Sequence, residues 1–203
     1  MTIQLDKETE KNIEIWKTYD DQTKEAIDTL LKENPKELID AFYTHLSFGT
    51  GGLRGLMGVG SNRMNRYTVA FATQGLANYL KKAADKKPLS VFIGYDSREN
   101  SKEFAKEAAK VLAGNEILAY LCQDIRPTPF VSFGCREKKC SAAIMITASH
   151  NPKEYNGYKA YWSDGAQVLP PHDLGIIEEV NRVKGPSEVK KATSLDNPFI
   201  EHV

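Results

Sequence analysis

The 203-residue sequence carries no net charge, because its 27 Lys and Arg residues match its 27 Asp and Glu residues. It therefore lacks the long-range field that draws proteins to nucleic acids and to anionic lipids. It also lacks an uninterrupted apolar run long enough to cross a membrane. We expect neither a nucleic acid nor a membrane as a partner.

The sequence is poor in cysteine and lacks a recognisable leader. Cys122, Cys135 and Cys140 are odd in number, form no CxxC pair and have no histidine at zinc-like spacing. The first residues, MTIQLDKETEKNIEIW, include acidic residues where a signal peptide has a basic start and then an apolar stretch. A reduced, cytoplasmic compartment is the simpler interpretation.

Residues 1–45 have the periodicity of an N-terminal helical extension. Asn34 is placed to cap the third helix, with Pro35 at its first position and Glu37 completing a capping box. The preceding helix has an apolar face at helical spacing, predicted to consist of Ala26, Ile27, Leu30 and Leu31.

Residues 46–188 alternate between strands and helices. Three apolar strands are predicted at 91–95, 116–122 and 142–146, with helices between them, the first helix capped by Asn100 and Glu103. A fourth strand, 157–162, follows a loop too short for a crossover helix and is predicted to run antiparallel to the third. The fold class is therefore α/β, a mixed, mostly parallel sheet of about four strands between helices. Residues 189–203 are polar and predict a linker toward a second domain.

The segment 46–66 is rich in glycine, at a density that no ordinary helix or central strand tolerates. Neither GxGxxG nor GxxxxGK[ST] fits it, which argues against a nucleotide-binding loop. Two interpretations remain: a mobile connector, or a backbone folded close to a ligand. In the second, Arg54 would offer its planar guanidinium to phosphate oxygens.

The loop TASHNPKEYNGYKAYW begins at Thr147, where the third strand ends, and such strand ends usually bind ligands in α/β sheets. Ser149 is well placed there for a reacting hydroxyl. The side chains around it that suit an anionic group are Thr147, His150, Asn151, Asn156 and Lys159. A polar turn is the alternative interpretation, although it leaves the Ser-His pair and Lys159 unexplained.

Two further patterns bear on this site. There is no GxSxG elbow, so a serine hydrolase is not supported. Asp96 and Arg98 follow the first strand and should lie at the same edge as Ser149, either as a structural ion pair or with Arg98 directed at the site. His45 and His172 are interpreted as surface or packing residues.

The motifs TASHNP (147–152), NGYK (156–159), FGTGGLRG (48–55) and YDSR (95–98) occur in an order that resembles the first domain of the phosphohexomutases, the phosphoglucomutase/phosphomannomutase family. The resemblance covers essentially the whole chain. It is stronger for the phosphoglucomutase branch that includes phosphopentomutases.

The resemblance implies an enzyme that moves a phosphoryl group between the 1- and 6-hydroxyls of a hexose phosphate. A phosphoserine at Ser149 and a hexose bisphosphate intermediate would carry the transfer. His150 and Lys159 would act as acid/base or charge-stabilising groups, with Arg54 near the phosphoryl group. The other phosphate- or substrate-binding positions that it implies are Thr147, Asn151, Arg98, Gly51 and Gly52.

The family binds Mg²⁺ through the serine phosphate and a DxDxD loop in a later domain, and no DxDxD occurs here. We therefore expect the N-terminal domain of a longer four-domain enzyme, inactive alone, with the remaining domains of that chain as its partners. The alternative is a stand-alone phosphosugar-binding or regulatory module. The two differ in whether the reading frame continues past Val203 into a DxDxD segment.

Overall fold

The computed structural model describes residues 5–49, 51–85 and 87–203. The first four residues of the predicted extension and Thr50 of the glycine-rich segment lie outside the described residues. The helices are α1 (Lys7–Lys17), α2 (Asp21–Glu33), α3 (Pro35–Phe42), α4 (Arg66–Ala83), α5 (Ser101–Gly114), α6 (Thr128–Glu137) and α7 (His172–Arg182). The strands are β1 (Gly52–Leu56), β2 (Ser90–Tyr95), β3 (Leu118–Leu121), β4 (Ala142–Ile146), β5 (Tyr155–Trp162) and β6 (Ile200–His202).

The described strands form one mixed sheet in the order β1-β5-β4-β2-β3-β6. β4, β2, β3 and β6 are parallel, whereas β5 runs antiparallel to both β4 and β1. The α/β class and the antiparallel β5 are confirmed. The sheet has six strands rather than about four, because a short strand is added at each edge.

The central strands are buried on both faces by helices. Every residue of β2 and β4 is buried, as expected for strands covered on both sides. β3 and β4 lie on opposite sides of β2, so right-handed crossovers place α5 and α6 on opposite faces. The inward face of α4 is formed by residues at helical spacing that are fully buried, Val69, Ala72, Leu76 and Leu80.

The N-terminal helices form their own apolar cluster around Ile27. Asn34 caps α3 as predicted, with its Oδ1 accepting from the Glu37 amide at 3.3 Å. The reciprocal half of the capping box is wrong, because the Glu37 carboxylate accepts from the Asn34 side-chain amide instead of the backbone. The predicted apolar face of α2 is also wrong at Leu31, which is 46% exposed.

Two further local predictions differ from the structure. Asn100 precedes α5 with φ 61° and makes no side-chain cap bond, so the capping box with Glu103 is wrong. The stretch 189–203 supplies β6, which pairs with β3 between Ala119 and Ile200. The sequence does not predict β6, because a strand of three residues is too short to show an alternation of apolar and polar residues. The division of the chain into domains stays a prediction.

Among the described residues, no helix combines the length and the hydropathy that crossing a bilayer requires. The three cysteines are buried and unpaired. Burial raises the pKa of Cys122 to about 11 and that of Cys135 to about 12, which keeps both thiols protonated and unreactive.

Candidate active site

The serine loop, residues 147–155, leaves the sheet at the carboxyl end of β4. Thr147 is buried at its base, whereas Ser149 and His150 are exposed. Ser149 has φ 57°, in the left-handed region that side chains other than glycine rarely adopt. Its amide donates to Thr147 Oγ1 at 2.9 Å, which fixes the turn. The prediction of an exposed serine at a strand end therefore matches the described geometry.

Arg98 lies beneath this loop and contacts its backbone. Its Nη2 donates to the carbonyl oxygens of Ser149 at 2.7 Å and Asn151 at 2.6 Å. Its Nη1 donates to those of Pro152 at 2.9 Å and Tyr155 at 3.0 Å. The predicted ion pair with Asp96 is also present, at 3.5 Å from Nε. A substrate-binding role for Arg98 stays a prediction, and it would require some of these contacts to be given up.

Arg54 and Lys159 lie on β1 and β5, the strands that pair antiparallel. Arg54 on β1 lies directly opposite Gly157 on β5, and Lys159 is two residues further along β5. Residues two apart on a strand share a face, so Arg54 and Lys159 lie diagonally on one face of the sheet. Arg54 Nη1 donates to Asn151 Oδ1 at 3.0 Å, which ties β1 to the serine loop.

Gly52 brings β1 close to β5, and Gly51 before it lies close to Gln167. Gly51 has φ +86°, and a Cβ there would lie 2.1 Å from Gln167 Nε2. Gly52 has φ +145°, and its Cβ would lie 1.8 Å from the carbonyl oxygen of Tyr158. The part of the glycine-rich segment that is described is thus an ordered edge strand that carries Arg54. The interpretation as a mobile connector is wrong for β1.

Residues 45–186 match the model of the phosphoglucomutase/phosphomannomutase family, alpha/beta/alpha domain I. The chain belongs to this family. Human phosphopentomutase is 44% identical over 186 residues, which cover 87% of this chain and 30% of that protein. The phosphoglucomutase of Staphylococcus haemolyticus is 45% identical over 160 residues, 79% of this chain and 28% of that protein.

The fold is also that of solved family members. A protein of Thermus thermophilus assigned as a phosphomannomutase superposes with a TM-score of 0.66 at 25% identity, over 79% of this chain and 33% of that one. The chain spans about 30% of the length of the curated relatives it matches. It corresponds to domain I, and the activity of a whole phosphomutase is a proposal for it.

A hydrogen-bond network behind the serine loop includes Asn156 and Ser101, whose place in it the sequence did not predict. Asn156 is fully buried, and its Nδ2 donates to Ser101 Oγ at 2.9 Å and to the Glu99 carbonyl oxygen at 3.0 Å. Ser101 Oγ donates in turn to Asp96 Oδ1 at 2.8 Å. The prediction had placed Asn156 among donors to an anion. Asn156 instead joins β5 to the segment after β2. Its complete burial shows that it does not face an incoming anion, and the sequence alone gives no sign of that burial.

His150, His172 and His45 have different surroundings. His150 is exposed beside Ser149, and its acid/base role stays a prediction. His172 begins α7, stacks on Trp162 with a centroid separation of 3.9 Å and shares a hydrogen bond with Tyr79 Oη. His172 is therefore a packing residue, and His45 is exposed.

The described residues do not by themselves fit Mg²⁺. They contain no group of three or more His, Cys, Asp or Glu side chains that could hold an ion. Of the predicted ligands only Ser149 belongs to this chain, and one oxygen is too small a donor set for an ion that prefers six.

The serine loop also lies outside two cavities beside the N-terminal helices. Cavities of about 590 Å³ and 580 Å³ separate the N-terminal helices from the sheet and its helices, and neither is lined by a residue of 147–155. Ser149 and His150 are exposed on the loop. A site that excludes water would need a second wall.

Proposed function

We propose that this chain is the phosphoserine-bearing domain of a phosphomutase that interconverts the 1- and 6-phosphates of a hexose. One observation carries the proposal: Ser149 is exposed at the end of β4, and its backbone is fixed on both sides in a conformation that side chains rarely adopt. A serine held this way presents its hydroxyl outward without further rearrangement.

The chemistry runs in two transfers. A substrate hydroxyl attacks the phosphorus of phosphorylated Ser149, the bond from phosphorus to Oγ breaks, and a sugar bisphosphate forms. Ser149 Oγ then attacks the other phosphoryl group of this bisphosphate, which releases the isomeric monophosphate and restores the phosphoserine. Two in-line steps replace one difficult transfer, and no phosphate is consumed.

Charge on the transferring group is the main problem that the protein must solve. Arg54 and Lys159 lie on one face of the sheet beside the loop, where fixed cations stabilise the spread negative charge. Lys159 and His150 are the proposed proton donors and acceptors for the attacking and leaving oxygens. Any Mg²⁺ would need ligands from outside the described residues, and a cytoplasmic location stays a prediction.

The sugar is proposed to be selected outside this chain. Relatives named for pentose, glucose and mannose phosphates all share this domain, so domain I supplies the common transfer chemistry. The open loop supports the same view, since the second wall would come from other domains. We accordingly propose that the 203-residue chain alone turns over no glucose 1-phosphate, and measurable turnover would contradict this.

The test uses the full-length parent protein and the variant Ser149→Ala. Incubation with glucose 1,6-bisphosphate should add one phosphoryl group to the wild type and none to the variant, measured by intact mass. The variant should also lose nearly all mutase turnover. Ser163→Ala, at an exposed turn after β5, is the matched control and should behave as wild type. Normal turnover in Ser149→Ala would refute the proposal.

A parent reading frame that stops directly after Val203 would instead favour the stand-alone phosphosugar-binding module. In that case the isolated chain should bind a hexose phosphate, measured by calorimetry, without converting it.

A further inference from the structure

We propose that Arg98 is a positioning residue that holds Ser149 in its reactive conformation and does not bind the substrate phosphate. This inference rests on the proposed function of Ser149. It assigns to the arginine of YDSR a role different from the one that the family resemblance implies.

The contacts of the guanidinium are the first argument. An arginine has two N–H groups on each Nη atom, and all four are matched here by carbonyl oxygens of the serine loop. The distances lie between 2.6 and 3.0 Å, at the short end of the ordinary range for N–H···O bonds or just below it. Four carbonyl dipoles therefore converge on one planar cation. The side chain is only 13% exposed, so little of it faces an incoming anion.

The conformation of Ser149 is the second argument. A non-glycine residue at φ 57° has a higher backbone energy than the same residue in an extended or helical conformation. The loop keeps it because Arg98 binds the Ser149 carbonyl while Thr147 accepts from the Ser149 amide. Removal of the guanidinium would leave the converging carbonyls without a donor, and the loop would relax toward a conformation that pairs them with water.

Arg98 is itself held in place by a chain of contacts to the sheet. Asp96 Oδ2 lies 3.5 Å from its Nε, and Asp96 Oδ1 accepts from the Arg98 amide at 3.0 Å. Ser101 Oγ also donates to Asp96 and accepts from Asn156 on β5. The guanidinium is thus fixed to β2 and β5, and the serine loop is built around it.

The experiment compares Arg98→Ala and Arg98→Lys in the full-length parent protein. We expect kcat and the rate of phosphoenzyme formation from glucose 1,6-bisphosphate to fall by about 100-fold or more, because misplacement of a reacting group by about 1 Å costs roughly that much. KM for the sugar phosphate should change little. Lysine should not rescue, because an ammonium group cannot match four carbonyls in a plane.

Two further readouts separate positioning from general damage. In Arg98→Ala, added guanidinium ion at millimolar concentration should restore part of kcat. Hydrogen exchange at residues 149–155 of the unphosphorylated protein should quicken by about 10-fold or more, while exchange in β2 and α4 is unchanged. Arg126→Ala is the control and should leave both readouts unchanged, because the Arg126 guanidinium contacts Ile125, Asp124 and Phe130 and no residue of the serine loop.

A raised KM with an unchanged loop exchange would overturn the proposal and make Arg98 a phosphate ligand. Wild-type kcat and loop exchange in Arg98→Ala would overturn it as well. If Arg98→Ala does not fold, the same measurements of kcat, KM and loop exchange on Arg98→Lys test the proposal. The exchange experiment needs no phosphoryl transfer, so failure of the role proposed for Ser149 is distinguishable from failure of this inference.

Discussion

Substitution of Gly52 by alanine tests whether β1 is held in the sheet as the structure shows. The new Cβ would lie 1.8 Å from the Tyr158 carbonyl oxygen, and backbone atoms cannot move aside as the end of a flexible side chain can. The backbone angle of +145° is also unfavourable for alanine. Both effects act against the pairing of β1 with β5.

The size of the effect follows from these two costs. A residue held in a sparsely populated backbone region costs about 1–3 kcal/mol, and overpacking costs about 1–3 kcal/mol more. Because β1 is an edge strand, it can separate from β5 and relieve part of the clash. We therefore expect a loss of about 3 kcal/mol in the free energy of unfolding. For a chain of this size that corresponds to a fall in Tm of about 6–12 °C.

The assay is urea unfolding of the 203-residue chain followed by circular dichroism, with thermal unfolding as a second measurement. Gly49→Ala is a matched control, because it lies three residues earlier, is exposed and would place its Cβ no closer than 4.0 Å to another atom. The control should change the free energy of unfolding by less than about 1 kcal/mol. Equal stabilities of the two variants would refute the argument that close approach of β1 requires Gly52.

Two other predictions concern charge. In the full-length protein, Lys159→Met should lower kcat by about 10²–10⁴-fold, with a smaller change in KM, if the ammonium group acts in proton transfer. The control is Lys102→Met, at an exposed position of α5, which should leave kcat unchanged. Equal kcat values for the two variants would contradict the role of Lys159. Partial burial of Asp20 raises the pKa of its carboxyl group, but the hydrogen bonds that it accepts, above all from Tyr67, outweigh this and lower the pKa to about 2. The carboxylate therefore stabilises the fold fully above about pH 4, and its contribution is lost as the pH falls through 2. Asp20→Asn should be less stable than wild type at pH 7 and indistinguishable from it below pH 2 by thermal unfolding, and a constant difference would contradict this.

The sequence predicted well those elements whose burial follows from a local pattern. β2 and β4 are nearly continuous apolar runs, and the buried positions of α4 repeat at helical spacing. β1 could not be predicted in this way, since its residues include Gly52 and Gly55 and form a strand only through pairing with β5. Tertiary pairing here overrides a poor local propensity.

The same limit applies to the candidate site. The exposed position of Ser149 followed from the strand end before it, because loops at the carboxyl ends of strands face the same edge. The contacts of Arg98 did not follow, since an arginine near an aspartate gives no indication of which carbonyls will surround it. Four acceptors from residues 149–155 are brought together only when the loop folds back over β2.

The candidate site depends on β1, the strand that the sequence did not predict. Arg54 reaches the serine loop from β1, which is an edge strand joined to the sheet on one side only, by its pairing with β5. Edge pairing opens at a lower free energy than the buried centre of a sheet. Conditions that release β1 would therefore separate Arg54 from the serine loop while β2 and β4 remain folded. Under the proposed function, catalysis would therefore be lost before global unfolding.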